Sequence, residues 1–484
     1  MKNIDFFLLT LIVLGAFIVR LYHFNSPVAD WHSWRQSDTS SVSRNFIKYG
    51  FDIFHPKFDD LSNGVSLIDN PQGYRFVEFP IYNVLQAGLF KLFSHFTIEE
   101  WGRLVTIFSS LGSIVFIYLL VTKYISSKAG LISAFFFAFL PYSIYYGRVI
   151  LPDQLMVMTM LGGIYLFDKY LENTKSYYYF LLALLFSATA VLIKPFVLFF
   201  SLLLLYLAWK KFNLGFIKQK KLWVFALLTL LPFVLWRLWM NQYPEGIPRN
   251  DWLFNGNNIR FTGSFFHWIF AERISRLILG FFGLPFVILG LISNHKKEKW
   301  LFYLFAISAI IYLTDLATGN IQHDYYQILI IPSLAILFGK GVDFALSNVG
   351  LVFNTYVTYF IVAVSIMFML SFGWFEIRYY YGIQHPEIIE AGKAVDQLTP
   401  RDAKIIAIYN GDTTFLYQTN RRGWPVFERS LKDFVKAGAG YIAFVNPSKE
   451  ELHFSKEFTT VKITSTYAIF DLTKPLPAGK LLLK

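Results

Sequence analysis

The chain has 484 residues, a length that in a soluble protein predicts two or three domains. Its composition excludes an ordinary soluble protein: 55% of the residues are hydrophobic, 19% are aromatic and only 16% are charged, against roughly a quarter charged in globular domains. The net charge of +12 is scattered between apolar segments, which favours contact with membrane lipid over nucleic acid. With no cysteine, disulfides and thiol catalysis are excluded.

The hydropathy pattern predicts a mainly α-helical, polytopic membrane domain of about eleven spans. Apolar stretches long enough to cross about 30 Å of hydrocarbon recur along most of the chain. The first lacks a small-residue cleavage site, which predicts an uncleaved span rather than a signal peptide. The predicted spans are residues 4–22, 102–122, 129–147, 150–168, 178–193, 195–209, 222–240, 274–292, 300–317, 325–343 and 351–373.

Lysine placement predicts the orientation of these spans. Alternate connections are rich in lysine, and the positive-inside rule places them in the cytoplasm together with the N-terminus. The segment of about residues 23–101 and the tail after the last span then lie outside, in a protein integral to the plasma (inner) membrane. The lysines are Lys123, Lys128, Lys169, Lys175, Lys210, Lys211, Lys218, Lys220, Lys221, Lys296, Lys297 and Lys299.

Arginine is distributed differently from lysine. The predicted cytoplasmic loops contain none, whereas the outer segments contain several. Because a guanidinium group is a rigid fork that matches phosphate, this segregation suggests an anion-binding outer face, although chance composition is the alternative. The outer arginines are Arg35, Arg44, Arg75, Arg148, Arg249, Arg260, Arg273 and Arg276.

The tail differs in composition from the rest. We therefore predict two domains: a transmembrane domain over residues 1–374 and a small extracytoplasmic α/β domain over residues 375–484. The turn Asn410-Gly411-Asp412 follows a predicted strand without a phosphate-binding fingerprint. The predicted tail elements are helices at Pro386–Leu398, Thr413–Tyr417 and Leu431–Ala437, and strands at Ala403–Tyr409, Tyr441–Val445 and Lys462–Asp471.

The first outer loop concentrates carboxylates, arginines and aromatic residues immediately outside a span. Thr39–Tyr49 and Ile81–Phe93 have helical apolar spacing and are predicted to lie along the membrane interface. The alternative is an amphipathic segment whose charges are merely solvated. The loop contains Asp30, Trp34-Arg35-Gln36-Ser37-Asp38-Thr39, and Arg75 followed by Glu78-Phe79-Pro80-Ile81-Tyr82.

These residues resemble those of the C-type membrane glycosyltransferase superfamily, in particular bacterial relatives of the protein O-mannosyltransferases and the lipid A aminoarabinose transferases. The resemblance extends over nearly the whole chain, and the order of the short motifs makes it specific. The motifs are Trp-Arg-Gln-x-Asp-Thr, Glu-Phe-Pro-x-Tyr, Tyr146-Gly147-Arg148 with Pro152-Asp153, His323-Asp324-Tyr325-Tyr326 and Arg421-Arg422-Gly423-Trp424.

The resemblance implies transfer of a sugar from a polyprenyl phosphate to an acceptor hydroxyl, with inversion and an aspartate as general base. Asp38 lies where the family has its catalytic aspartate, and Asp30 is the rival in the same loop. An ordinary structural role for Asp38 is the N-cap of a helix that begins at Thr39. A polyprenyl-linked glycan or lipid transporter is the alternative function, although such a protein would predict internal repeats.

Further site residues follow from the same resemblance. Asp153 is expected either to orient the acceptor or to pair with Arg148. Phe79 stands where the aminoarabinose transferases have a phosphate-associated lysine, so an arginine is expected to contact the phosphate instead. His323 and Tyr325 are expected to line the cavity, or else to belong to an interfacial aromatic belt. The candidate substrate-binding residues are Arg35, Arg75, Glu78, Tyr82, Arg148, His323 and Tyr325.

No cofactor is expected. Some C-type enzymes use a divalent metal, but no His-x-x-x-His or Glu-x-x-His spacing on a helix predicts one in this sequence. The expected partners are a polyprenyl-phosphate sugar donor, membrane lipid and an acceptor that is a glycan, a lipid or a protein.

Overall fold

A computed structural model describes residues 3–350 and 354–483, and they form two compact units. The first unit contains the described residues of Met1–Phe24, Arg103–Trp236 and Asn250–Tyr380. The second contains Asn25–Gly102, Arg237–Arg249 and the described residues of Tyr381–Lys484. The first outer loop and the tail therefore belong to one unit, which the proposed division at residues 374 and 375 does not anticipate.

The described chain is mainly helical, as predicted. The first ten α-helices are α1 (Asn3–Arg20), α2 (Ser33–Tyr49), α3 (Ile81–Leu92), α4 (Ile98–Tyr124), α5 (Ser127–Phe139), α6 (Pro141–Tyr146), α7 (Asp153–Glu172), α8 (Tyr177–Ile193), α9 (Ser201–Phe212) and α10 (Lys220–Met240). They are followed by α11 (Trp252–Asn255), α12 (Gly263–Phe266), α13 (Leu284–Ile292), α14 (Leu301–Asp315), α15 (Ala317–Gln322), α16 (Ile331–Ser347), α17 (Thr355–Ile377), α18 (Pro386–Leu398), α19 (Thr413–Gln418), α20 (Leu431–Lys436) and α21 (Pro477–Leu482).

Several of these helices have the length and composition of membrane spans, as expected of an integral membrane protein. Within residues 3–350 and 354–483, six helical segments are long and apolar enough to cross a bilayer. The total of eleven spans remains a prediction, and residues 351–353 of its last span lie outside the described residues. The six segments are Asn3–Arg20, Ile98–Tyr124, Pro195–Lys218, Lys220–Met240, Asp324–Ser347 and Thr355–Leu398.

Two of the predicted spans are interrupted. The predicted span 129–147 breaks between α5 and α6, where Pro141 cannot donate the backbone hydrogen bond of a continuous helix. The predicted span 274–292 begins in a π-helical segment, His267–Ile278, and resumes only at α13. Between them Gly280 and Phe281 have φ angles of 48° and 60°, which end the regular helix. Hydropathy alone does not detect either break.

Glycines bring two helices of the first unit into close contact. A Cβ atom on Gly341 of α16 would lie 1.8 Å from the carbonyl oxygen of Phe286 in α13. In the opposite direction, a Cβ atom on Gly290 would lie 2.0 Å from the carbonyl oxygen of Leu337. Small residues at such positions allow the backbones of apolar helices to approach each other, which strengthens dispersion contacts between them.

The tail contains the small sheet that the sequence predicts. Its five strands are β1 (Lys404–Ile408), β2 (Arg422–Trp424), β3 (Ala439–Val445), β4 (Phe458–Ile463) and β5 (Tyr467–Pro475). Their order is β2-β1-β3-β5-β4, with β1 parallel to β2 and β3, and β5 antiparallel to β3 and β4. Alternating side chains cover both faces: Ile406 joins one buried cluster, and Ile405 and Ala407 join the other.

One predicted strand of the tail is wrong. The segment Lys462–Asp471 is divided between β4 and β5, which form a hairpin. At the turn the amide of Thr464 donates to the carbonyl oxygen of Tyr467 at 2.9 Å. Thr464, Ser465 and Thr466 favour a turn because their hydroxyls compete for backbone hydrogen bonds.

Within the second unit, the first outer loop extends the tail sheet. The amide of Leu61 donates to the carbonyl oxygen of Gly423 in β2 at 2.7 Å, and the amide of Gly423 donates to that of Asp59 at 2.9 Å. The Leu61 side chain also belongs to a hydrophobic cluster of the tail, together with Ile406 and Trp424. The loop and the tail therefore share one core.

Helix α2 is longer and more buried than the sequence predicts. It begins at Ser33 rather than at Thr39, and most of its residues are buried. The alternative of an amphipathic segment whose charges are merely solvated is therefore wrong for α2. Helix α3 covers part of it through polar contacts, in which Asn83 donates to the carbonyl oxygen of Thr39 at 2.7 Å and Ser43 donates to Gln86 at 2.7 Å.

The contact between α13 and α16 can be tested by adding one methyl group. Gly341→Ala is expected to lower the free energy of unfolding by about 1–3 kcal/mol, because the Cβ atom would overlap backbone rather than a flexible side chain. Thermal unfolding in detergent measures the effect. Gly215→Ala is the control, since among the described residues no atom beyond the adjoining chain lies within 4 Å of a Cβ atom there. Equal melting temperatures for the two variants would contradict the close approach.

Candidate functional site

Asp38 is held from two sides within the second unit. Its residue is only 4% exposed. One carboxylate oxygen, Oδ2, lies 2.7 Å from Nη2 of Arg75, and the other, Oδ1, accepts a hydrogen bond from Thr413 Oγ1 at 2.7 Å. Asp38 lies more than one turn inside α2, whose N-cap residue is His32. The capping role considered for Asp38 is therefore wrong.

A tight turn positions Arg75 opposite Asp38. Gly73 has a φ angle of 61°, and a Cβ atom there would lie 2.8 Å from the carbonyl oxygen of Phe58. After this turn the amide of Arg75 donates to the carbonyl oxygen of Pro56 at 2.9 Å. The guanidinium group lies over the Phe58 ring, 4.8 Å from its centroid. The backbone hydrogen bond and the Phe58 ring thus hold the Arg75 guanidinium group in place beside the Asp38 carboxylate.

A second buried ion pair lies beside the first. Arg35 of α2 is paired with Glu78, and both side chains are at most 9% exposed. Arg35 and Asp38 are three residues apart on one helix and so share a face. Two cations and two carboxylates thereby border one small cavity. Its lining residues are Arg35, Asp38, Thr39, Val42, Pro56, Arg75, Glu78, Pro80 and Asn83.

Burial has the largest effect on the pKa values of Asp38, Arg75 and Asp60. It raises the pKa of Asp38 above the ordinary aspartate value, while Arg75 and the Thr413 hydrogen bond act in the opposite direction. Burial also lowers the pKa of the Arg75 guanidinium. Burial raises the pKa of the neighbouring Asp60 to about 7. A carboxylate whose pKa is raised is a stronger base than an exposed aspartate.

Asp30 and Tyr82 have other contacts in the same unit. Asp30 is buried and accepts a hydrogen bond from the Gln36 side chain at 2.6 Å. The Tyr82 hydroxyl donates to the carbonyl oxygen of Gly102 at 2.7 Å and so links α3 to the start of α4.

Asp153, in the first unit, pairs with a residue that the sequence analysis did not select. Its Oδ1 atom lies 2.7 Å from Nζ of Lys194, so the expected pair with Arg148 is not the one that forms. Asp153 Oδ2 is buried and has no hydrogen-bond partner among the described residues. The described hydrogen bond of Arg148 goes to the carbonyl oxygen of His23 at 3.2 Å.

His323 and Tyr325 belong to an aromatic cluster around Lys194 and Asp324. The His323 and Tyr325 rings stack with centroids 5.5 Å apart, and Lys194 Nζ lies 5.7 Å from the Tyr325 centroid. Asp324 is 1% exposed and accepts hydrogen bonds from Tyr146, at 2.6 Å, and from Tyr380. An ionisable residue between two apolar runs signals function or pairing. Lys194 and Asp324 both fit this description, but the sequence analysis names Asp324 only as part of a motif and does not name Lys194.

The candidate residues thus fall into two groups. Asp30, Arg35, Asp38, Arg75, Glu78 and Tyr82 belong to the second unit, and Arg148, Asp153, His323 and Tyr325 belong to the first. Within residues 3–350 and 354–483, no cluster of three or more His, Asp or Glu residues is arranged to hold a metal ion.

Comparison with known proteins identifies the fold. A family model described as dolichyl-phosphate-mannose-protein mannosyltransferase matches residues 77–239, which is less than half of the chain. The structure of ArnT from Cupriavidus metallidurans bound to undecaprenyl phosphate is similar over 95% of this chain and 97% of that one, with 12% identity and a TM-score of 0.65. Among proteins with curated functions, none has significant sequence similarity to this chain.

Archaeal oligosaccharyltransferases are also similar in structure. The Archaeoglobus fulgidus enzyme in complex with zinc and sulfate has 12% identity and a TM-score of 0.59, over 90% of this chain and 68% of that one. AglB from the same organism, in complex with an inhibitory peptide and a dolichol-phosphate, has 13% identity and a TM-score of 0.56, over 94% and 70% of the two chains. The resemblance to C-type glycosyltransferases is therefore confirmed in the fold.

The raised pKa of Asp60 predicts a pH-dependent stability. Since its folded-state pKa is about 7 against 3.8 for an unperturbed group, the folded chain holds a proton that the unfolded chain releases. The resulting stabilisation is present at low pH and is lost as pH rises through about 7. Asp60→Asn should melt at a higher temperature than the parent above that pH, and the difference should vanish near pH 4.

The exposed Asp402 provides the control for this measurement. Asp402→Asn should change the melting temperature little at any pH, because an exposed carboxyl has a similar environment in the folded and unfolded chains. A constant difference between Asp60→Asn and the parent across the whole pH range would refute the proton linkage.

The Asp153–Lys194 pair predicts a large loss of stability when one partner is removed. Lys194→Met leaves a buried carboxylate without its cation and should cost about 3–5 kcal/mol of unfolding free energy. Adding Asp153→Leu should recover much of this loss, because no buried charge then remains. A double-mutant cycle of thermal unfolding measures the coupling. Additive effects of the two substitutions would show that the pair does not stabilise the fold.

Proposed function

We propose that the protein is a membrane glycosyltransferase that moves a sugar from a polyprenyl-phosphate donor to an acceptor hydroxyl on the extracytoplasmic side. The observation that carries this proposal is the buried Asp38 carboxylate, fixed by Arg75 beside the Arg35–Glu78 pair. Two similar structures support the choice of donor, because ArnT was solved with undecaprenyl phosphate and AglB with a dolichol-phosphate.

In the proposed reaction Asp38 is the general base. It removes the proton from an acceptor hydroxyl as that oxygen forms a bond to the anomeric carbon. The bond between the anomeric carbon and the phosphate oxygen breaks, and its electron pair leaves with the polyprenyl phosphate. Because the nucleophile and the leaving group are on opposite faces of the sugar, the configuration inverts. Asp30 is the alternative base, and the Asp38–Arg75 geometry favours Asp38.

Negative charge that develops on the leaving phosphate requires nearby cations. Arg35 and Arg75 are the proposed phosphate ligands, since both guanidinium groups border the cavity beside Asp38 and their planar fork matches the geometry of a phosphate. Because Phe79 stands where a phosphate-binding lysine was expected, contact with the phosphate is proposed to depend on the arginines. Glu78 would then hold Arg35 in place rather than contact the sugar directly.

The remaining candidates are proposed to contact the acceptor or the sugar. Asp153 has a buried oxygen with no hydrogen-bond partner among the described residues, and a hydroxyl group would satisfy it. The substrate-binding roles of Tyr82, Arg148, His323 and Tyr325 stay predictions of the family resemblance. Lysine placement supports a cytoplasmic N-terminus in the plasma (inner) membrane and an extracytoplasmic domain at residues 375–484. The proposed chemistry needs no cofactor.

Asp38→Asn provides the test of the base. We expect the substitution to lower transfer by about 100-fold or more, since the amide cannot accept a proton in the reaction. Loss of radiolabel from a panel of polyprenyl-phosphate sugars, with its appearance in new lipid-soluble or lipid-insoluble products, measures the reaction. Binding of the donor should be retained.

Asp30→Asn tests the alternative base, because it neutralises another buried aspartate of the same loop. We expect it to retain transfer. Unchanged turnover in Asp38→Asn would contradict the assignment of the base. Movement of the labelled lipid between leaflets, without transfer by the parent protein, would favour the transporter alternative.

A further inference from the structure

The C-terminal tail reaches the Asp38 carboxylate directly. Within the second unit, α19 of the tail packs against α2, and Thr413 is its first residue. The Thr413 hydroxyl lies 2.7 Å from Asp38 Oδ1 and 3.2 Å from the carbonyl oxygen of Trp34. A hydroxyl has one hydrogen to donate, and the shorter contact to the charged acceptor is the stronger one.

Thr413 is itself fixed by neighbouring contacts. Asp412 caps α19, because its side chain accepts a hydrogen bond from the amide of Thr414 at 2.7 Å. The Thr414 hydroxyl then donates to Ser33 Oγ on α2 at 2.9 Å. Farther along α19, the Arg44 guanidinium group lies over the Tyr417 ring, 4.0 Å from its centroid. These contacts hold the first turn of α19 against α2.

We propose that Thr413 is a positioning residue for Asp38, so that the C-terminal domain completes the transfer site instead of only covering it. This inference rests on the proposed function, since it assumes that Asp38 is the base. Thr413 touches neither sugar nor phosphate in this scheme. It acts through the carboxylate by fixing Oδ1 while Arg75 fixes Oδ2.

The two contacts together determine the orientation and the basicity of the carboxylate. A carboxylate held at both oxygens cannot rotate, which keeps its free lone pairs directed at one position for the acceptor hydroxyl. The Thr413 hydrogen bond also stabilises the charged form and opposes the effect of burial. Arg35 and Arg75 act in the same direction. The negative charges of Asp412 and Asp60 act in the opposite direction and favour the protonated form of Asp38. Glu78 pairs with Arg35 and partly neutralises its charge.

Thr413→Val removes the donor and preserves the shape of the side chain. We expect kcat for transfer to fall about tenfold, because the carboxylate loses one of its two fixed contacts. The acid limb of the pH–rate profile should also move to higher pH, by about one unit, since losing a hydrogen bond to the charged form raises the pKa of Asp38. Thr413→Ser keeps the hydroxyl and should restore both kcat and the profile.

Thr414→Val is the matched control for damage to the interface. It removes a neighbouring hydroxyl that contacts α2 without touching Asp38, so the acid limb should stay in place. Thermal unfolding of each variant reports whether the unit is folded. If Thr413→Val is unstable, Thr413→Ala replaces it in the same comparison.

An acid limb that stays in place for a folded Thr413→Val or Thr413→Ala variant would overturn the inference. Failure of Thr413→Ser to restore the profile would do the same. Both outcomes differ from failure of the proposed function, which would appear as full activity in Asp38→Asn.

Discussion

The burial of Asp38 is the constraint on which the second unit depends. Removing a carboxylate from water costs several kcal/mol unless a cation and hydrogen-bond donors replace the lost hydration. Arg75 supplies the cation and Thr413 supplies a donor. Because the first belongs to the outer loop and the second to the tail, neither segment alone can satisfy Asp38. A stable environment for this group requires the two segments to fold together.

The composition of α2 leads to the same conclusion. Ser37, Ser40, Ser41 and Ser43 are buried, and a helix with so many hydroxyls gains little from hydrophobic contact. It is stable in the interior only where neighbouring groups satisfy its polar atoms, as Gln86 of α3 does for Ser43. The hydrophobic contact between the loop and the tail is made by Leu61 of the loop, which packs into the core of the tail.

The sequence predicts those features that depend on local patterns. Continuous apolar runs locate helices such as α1 and α4, and alternating residues locate β1 and β3 in the tail. It does not predict the early start of α2, because Ser33, Ser37 and Asp38 have only modest helix propensity and packing in the interior stabilises the helix. Nor does it identify Lys194 or Thr413, since their contacts join residues 41 and 375 positions apart in the chain. Asp38 was identified because its local motif resembles a family. Arg75 was identified as a candidate for substrate binding and not as the ion-pair partner of Asp38, and Thr413 was not identified.

The structure also changes the interpretation of the outer arginines. Their segregation from lysine suggested an anion-binding face, yet several of them bind carboxylates of the protein itself. Arg44 pairs with Asp59, and Arg276 pairs with Glu272 and Glu376. A planar guanidinium group suits such buried or partly buried pairs better than an ammonium group does, because it is more weakly hydrated and presents its donors in a fixed geometry. Ion pairs within the protein therefore account for several of the arginines outside the lysine-rich loops. Arg35 and Arg75 differ from these arginines in position, since both border the small cavity beside Asp38 as well as pairing with a carboxylate.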